Sequence, residues 1–222
     1  MTRELAKFLQ KIGVDTRFVS IIKDKVYINN LKFSRFSRKK EELFKKSFPE
    51  VDVVRSKIFQ KICMRASRNL AHCIHPKEKI FLIDGDDPRN FALYVILEPY
   101  QRKYGIKLIF GKNISESENL DIDSIALPIT LDDEAQNILQ LMLDGEKIEL
   151  LSSNESYNYK KLIYPLINVP KSWIYSWTQD TSDNKLNQNY EFSEDLLIFL
   201  ESLVPDIREN LLKSALFISN EC

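Results

Sequence analysis

Cysteine is scarce in this chain: Cys63, Cys73 and Cys222 are the only three in 222 residues. The number is odd and no pair has Cys-x-x-Cys spacing, so neither a disulfide framework nor a zinc knuckle is written in the sequence. Reduced thiols in a cytoplasmic protein are the expectation. Histidine is scarcer still. His72 and His75 lack flanking ligands at metal spacing and read as a helix end. No run approaches the ~18 apolar residues of a membrane span. The opening MTRELAKFLQKIG is too polar for a signal peptide, so no membrane association is expected. There is no internal repeat. Net charge is also missing, with 32 basic and 32 acidic side chains.

That zero hides an asymmetry. Residues 32–79 carry 14 Lys/Arg against 5 Asp/Glu, a balance of +9. Residues 113–159 carry 11 Asp/Glu against Lys147 alone, a balance of −10. A basic block beside an acidic one fits an anionic partner at one end of the molecule. It fits equally well two unevenly charged solvated faces.

Apolar periodicity and punctuation predict the elements. Thr2 caps a short helix that Gly13 ends, and two β-rich runs around a three-residue polar break make a hairpin at 17–28. A basic helix spans 37–48 and stops at Pro49. A longer helix spans 54–74, with Ile58, Ile62, Ala66, Asn69 and Leu70 on one face and Phe59, Cys63 and Cys73 beside it. Lys57, Lys61, Arg65 and Arg68 form a cationic stripe on another face. Lys79–Ile83 is a continuous apolar run, as a buried parallel strand requires. Asp87 then caps a helix with Pro88 at its first position, and 107–111 is the next strand, which completes a βαβ unit. A strand at 123–129 leads to Thr130, the cap of a helix closed by Gly145, with Asp133 meeting the free N–H groups of its first turn. Short extended pieces follow at KIELLSS and LIYPLINVP. Trp173, Tyr175 and Trp177 belong to a helix and read as packing. A polar loop spans 178–189, and two helical segments meet at Pro205. The resulting fold class is α/β, a doubly wound, mostly parallel sheet with a small N-terminal hairpin and helix segment and C-terminal helices. The divisions are 1–53, 54–180 and 181–222.

The loop after the first parallel strand is chemically odd. Asp84, Gly85, Asp86, Asp87, Pro88 and Arg89 bring three carboxylates and one glycine to a place where α/β proteins cradle phosphate.

Three stretches resemble one family. SIALPITLDDEAQNILQLMLDGEKIEL is similar to a family segment built around Leu-Asp-Asp-Glu-Ala-Gln, here residues 131–136. LIYPLINVPKSWIYSW resembles a segment with an Arg-Pro-Leu turn and a Val-Pro. EDLLIFLESLVPDIRENLLKSALFI resembles its closing helices. The family is the PP-loop ATP pyrophosphatases that 2-thiolate tRNA in the archaeal and eukaryotic cytoplasmic style, and the resemblance covers about 54–220. It implies a sheet that binds ATP at its strand C-termini, adenylation of a tRNA base carbonyl, and displacement of AMP by sulfur.

The same resemblance exposes departures. The family's Ser-Gly-Gly-x-Asp-Ser becomes Asp84 through Arg89. Asp84 can only accept hydrogen bonds, Pro88 removes an N–H, and Asp86 and Asp87 set negative charge where pyrophosphate would lie. A Mg²⁺ ion on the aspartates would reverse that sign. A family Thr-Gly-His-Asn becomes Leu127-Pro128-Ile129-Thr130, Tyr164 replaces an arginine, and the segment at 113–123 is short and lacks cysteine. Caps, apolar faces and turn prolines are kept while phosphate, metal and sulfur groups are gone. The pattern reads as a degenerate, non-catalytic partner or scaffold subunit in tRNA wobble-uridine 2-thiolation, with no catalytic residue and no cofactor, neither zinc nor an iron–sulfur cluster. Expected partners are a motif-intact PP-loop homologue and tRNA, in a hetero- or homodimer. Lys57, Lys61, Arg65 and Arg68 would contact tRNA phosphates. Two alternatives stay open: an active ATP-dependent tRNA-modifying enzyme using Mg²⁺ at Asp84, Asp86 and Asp87, and an RNA-binding module unrelated to thiolation.

Overall fold

The computed structural model describes residues 2–178 and 192–221. The expected polar loop therefore lies, from residue 179 onward, outside the described residues. The chain opens with α1 (Thr2–Lys11), whose Leu5 and Leu9 are buried one turn apart. The hairpin pairs β1 (Val19–Ile22) with β2 (Lys25–Ile28) in antiparallel register. Its turn is two residues, not three, because Lys25 already pairs with Ile22 and Lys23 takes a left-handed backbone, φ 52°. Next come α2 (Leu31–Ser34), capped by Asn30, and α3 (Arg38–Ser47), capped by Ser37. Then β3 (Asp52–Val54) adds to β2 in parallel. Three residues are too few to show alternation, so β3 has no signature in the sequence. Leu5, Leu9, Ile21, Ile28, Phe36 and Phe44 close a core of their own around this sheet.

The larger unit begins with α4 (Lys57–Cys73), capped by Ser56. Its buried residues are Phe59, Ile62, Cys63, Ala66 and Leu70. Ile58, expected on the core face, is exposed, and Phe59 is the residue that faces inward. The remaining elements are β4 (Lys79–Ile83), α5 (Pro88–Leu97), α6 (Tyr100–Tyr104), β5 (Lys107–Gly111), β6 (Ser124–Ala126), α7 (Leu131–Asp144), β7 (Ser156–Tyr157), β8 (Lys160–Ile163), α8 (Lys171–Thr178), α9 (Phe192–Leu203) and α10 (Ile207–Glu221).

The strand order is β5-β4-β6-β8-β7, parallel except for β7, which pairs antiparallel with β8 at the edge. KIELLSS contributes no strand. The hairpin forms later, around Asn158 and Tyr159, both with positive φ. The expected strand at 123–129 keeps its register over 124–126, with hydrogen bonds reaching Asp123 and Leu127, and ends there because Pro128 cannot donate to a ladder. Alternate strand residues face opposite ways. Ile80, Leu82, Ala126 and Ile163 pack under α4, α5 and α8. Phe81, Ile125 and Leu162 face the other side, where a short 3-10 segment, Ile114–Asn119, lies over them through Ile114. Gly111 is required there: a Cβ would come within 2.6 Å of the Phe81 ring and of Glu116. Helices α7, α9 and α10 pack on one another. The fold is thus mixed α/β around a mostly parallel five-stranded sheet. The order in which strands are added reverses between β4 and β6, β5 lying to one side and β6 and β8 to the other, so the C-terminal ends of β4 and β6 flank the crevice where ligands sit in folds of this kind.

Candidate functional site

The crevice is built from the loop after β4 and the start of α7. The N-terminus of α5 is formed as the sequence predicts, with Asp87 accepting from the Arg89 N–H and Pro88 at the first position. The N–H groups of Asn90 and Phe91 bond the Asp87 carbonyl. The first turn of α5 therefore offers no free N–H to an anion: one is missing, one is capped and two are bonded. The retained Gly85 is not in a left-handed conformation, and a Cβ there would meet only the Asn90 amide at 3.4 Å. Nothing in this loop uses the conformational freedom that a phosphate cradle takes from glycine.

A guanidinium fills the crevice instead. Arg89 donates from Nη2 to Asp87 Oδ2 at 2.6 Å and from Nε to both Asp87 oxygens at 3.1 and 2.9 Å. Its Nη1 donates to both oxygens of Asp133 at 3.2 Å. Asp133 is held by α7's capping box, accepting from the Thr130 N–H at 2.8 Å and hydroxyl at 2.7 Å. Burial pulls the Arg89 pKa down, but Asp87 and Asp133 outweigh it and the net shift is upward. Burial likewise pushes Asp87 up, and the Arg89 hydrogen bonds more than reverse it. Sequence reasoning placed Arg89 in the loop and Asp133 at the helix start without joining them. No local signal links two positions 44 residues apart.

Of the other two carboxylates of the Leu-Asp-Asp-Glu run, Asp132 is engaged and Glu134 is buried without a partner among the described residues. Asp132 accepts from the Lys171 N–H at 2.6 Å, which pins the start of α8, and pairs with Arg208 of α10 at 3.2 Å. Glu134 is fully buried. Neither of its oxygens has a partner at hydrogen-bonding geometry. Burial outweighs the nearby Leu151 and Ser152 backbone groups and pushes its carboxyl up to about 7. The periodicity that sets Leu131, Ala135 and Ile138 inward places Glu134 with them, a signal the sequence does contain. Because the folded-state pKa is raised, the contribution of Glu134 is full below ~4.3, the unfolded value. It is lost as pH rises through about 7. Glu134→Gln is expected to flatten the fall in stability between pH 5 and 8, by about 2–3 kcal/mol. Urea melts at several pH values check this.

Asp84 and Asp86 have no such partners among the described residues. They line a cleft of about 560 Å3 between the loop and the β1–β2 turn, walled by Tyr27, Phe91 and Tyr94, with Lys23, Asp24 and Lys25 on the far side. Of the cationic stripe, Lys57, Lys61 and Arg68 are exposed. Arg65 is tied inward: it pairs with Glu209 at 2.8 Å, donates to the Asn168 carbonyl at 2.9 Å and lies 4.5 Å from the Trp173 ring centre. Trp177, by contrast, is core.

No protein-family model matches the chain. A "probable sulfurtransferase" of Methanocaldococcus jannaschii is 32% identical over 109 residues, 48% of this chain and 31% of that protein. The match thus spans about a third of the curated relative. Among solved structures, the U34-tRNA thiolase NcsA from Methanococcus maripaludis with its 4Fe-4S cluster superposes with a TM-score of 0.58 at 13% identity, covering 79% of this chain and 84% of that one. At that identity the likeness establishes the fold. It also corrects one expectation, that an iron–sulfur cluster has no place with this chain: a neighbour of the same fold carries one. Cysteine spacing could not reveal this, because folding can gather cluster ligands from positions remote in sequence. The described cysteines do not by themselves fit such a group. Cys63 and Cys73 lie on one helix, ten residues or ~15 Å apart along its axis, and burial pushes the Cys63 thiol up, away from the thiolate a cluster needs. Among the described residues no group of three or more His, Cys, Asp or Glu is placed to hold a metal.

Proposed function

We propose that this chain is a non-catalytic partner or scaffold subunit of a cytoplasmic tRNA wobble-uridine 2-thiolation system, contributing tRNA or partner binding. The observation that carries the proposal is the Arg89 guanidinium, held between Asp87 and Asp133 beside a helix start with no free N–H. A protein cation already occupies the counter-charge position, and the first turn of α5 has no backbone donor left to grip a phosphate. The fold shared with a tRNA thiolase and the partial match to a sulfurtransferase support the thiolation setting. Lys57, Lys61 and Arg68 supply the salt-sensitive contact to tRNA phosphates, with Arg65 as their structural anchor. The partner would be a motif-intact homologue of the same fold. Outward-facing Ile198, Phe199 and Leu203 on α9, and Phe217 and Ile218 on α10, support a surface for it, with Phe199 58% and Leu203 63% exposed. Native co-purification with mass spectrometry tests this. Recovery of a homologue with an intact Ser-Gly-Gly-x-Asp-Ser loop, lost on Phe199→Asp/Leu203→Asp, is the expected result. Repeated purification without any such homologue would sink it.

One observation favours a second reading. Asp84 and Asp86 open onto the 560 Å3 cleft without ion-pair partners among the described residues, which is the arrangement an Mg-ATP-dependent enzyme with an acidic loop would need. The two readings part on nucleotide binding.

A further inference from the structure

A second cavity lies at the opposite end of α5, and the reading above makes no use of it. It measures about 360 Å3, within the ~300–1,000 Å3 range of small-molecule sites. Asp87 caps one end of α5, and Ile96, near the other, lines this cavity. At 1.5 Å per residue the two are separated by ~13 Å along the helix, so this is not the crevice by the loop. The walls come from the N-terminal unit, α4 and α6 together.

Three features define what it can hold. The first is a flat apolar lining. Phe18 and Phe33 stand 5.3 Å apart at 34°, with Met64 and Tyr100 completing the wall. Phe33 is 54% exposed, on a helix of four residues, and its own fold does not cover it. The second is an excess of donors. Asn30 accepts from the Phe33 N–H through its Oδ1 at 3.0 Å, which leaves its amide N–H groups for a ligand. None of the lining side chains is a carboxylate. The third is an unneutralised cation. Arg17 is bound by Asp15, but Lys103 makes only ring contacts, 5.1 Å from the centre of Tyr100 and 4.9 Å from that of Tyr104. No carboxylate lies within ion-pair distance of it among the described residues. A fatty acid would match the cation but waste the amide donors. A cationic ligand would find no acceptor charge. A flat ring bearing acceptors and a phosphate matches all three features.

We propose that this cavity binds a nucleotide, with its base stacked on Phe33, its acceptors on the Asn30 amide and its phosphate on Lys103. The nucleotide is either an unpaired residue of an RNA strand or a free mononucleotide, since both present the same base and phosphate. The site stands on its own geometry and holds whether or not the chain is a thiolation subunit.

The full chain is titrated with a fluorescent, unstructured oligouridylate, and UMP, AMP and inorganic phosphate serve as competitors. Saturable binding is expected, weakened tenfold or more by Phe33→Ala and restored to within about threefold by Phe33→Tyr, in line with base–aromatic stacking. Lys103→Ala is expected to weaken binding and lower its salt dependence by about one charge. Thermal melts confirm that each variant folds. Competition by UMP or AMP at concentrations where phosphate fails assigns the site to free nucleotides as well. Oligomer binding that mononucleotides do not compete assigns it to RNA. Absence of saturable binding to every probe, or unchanged affinity in a folded Phe33→Ala protein, overturns the proposal. Neither result bears on which partner co-purifies, so the two readings fail separately.

Discussion

Arg89→Ala is expected to destabilise the protein by about 2–3 kcal/mol at pH 7, although it removes a side chain from a loop. The guanidinium makes five hydrogen bonds to two carboxylates, and all three side chains are only 23–29% exposed. Without it, Asp87 and Asp133 share the crevice with only the weaker field of Lys171 as counter-charge. The pH dependence identifies the cause. Arg89 holds the Asp87 pKa below its ordinary value, so this contribution is present above the unfolded pKa of ~3.9 and is lost as pH falls through the lowered folded value. Wild type and variant should therefore differ fully at pH 7 and converge below about pH 4. Arg89→Lys keeps the charge but not the fork that reaches two carboxylates at once, and should recover under half of the loss. Pairing Arg89→Ala with Asp87→Asn, which preserves an N-cap, should cost less than the sum of the single changes. Urea melts across pH 3–8 give all four numbers. A penalty independent of pH would mean that Arg89 acts through packing and not through its ion pairs.

Trp177→Ala is expected to cost more, about 3–5 kcal/mol, a fall of roughly 8–15 °C in melting temperature for a chain of this size. Trp177 is 1% exposed. Its ring stacks on Phe59 at 4.5 Å and Phe91 at 5.7 Å and meets Tyr27 edge-on at 5.7 Å. Those three rings come from α4, α5 and β2, so one indole joins the parallel sheet's helices to the N-terminal sheet. The hole would open beside the first turn of α5 and loosen the loop before it. Trp177→Phe should cost markedly less than Trp177→Ala. It keeps most of the stacked area and removes the indole Nε1, which is buried without a partner among the described residues. Thermal melts of the two variants decide the matter, and equal losses would show that ring stacking contributes little.

What the sequence makes legible follows from the range of each interaction. Caps are local, so Asp87, Thr130 and Asp133 can be read in place. So can the apolar run of β4, which parallel partners flank on both sides. Short strands fail for the opposite reason: β3 and the β7–β8 hairpin are fixed by partners elsewhere, not by their own pattern. The face of α4 is correct to within one residue, with Phe59 in the place expected of Ile58, because both fit an apolar stripe and only packing against Tyr27 and Trp177 chooses between them. At the site, the loop's loss of phosphate donors is visible in its residue types. Its replacement, the Arg89–Asp133 bridge, is not, because it spans 44 residues. The acidic loop therefore looked like open negative charge. Asp87 is in fact spent on a cap and an ion pair, and only Asp84 and Asp86 remain free to meet a ligand.

The direct test of a vacated nucleotide site is isothermal titration of the purified chain with Mg-ATP, run beside Arg89→Ala and Asp86→Asn. With Arg89 in the counter-charge position and the first turn of α5 saturated, no Mg-ATP binding that depends on Asp86 or Arg89 is expected up to millimolar nucleotide; repeating the titration with Phe33→Ala removes any contribution from the cavity at the far end of α5. Micromolar binding by the wild-type chain, abolished by Asp86→Asn, would contradict it and favour an ATP-dependent enzyme with an acidic loop.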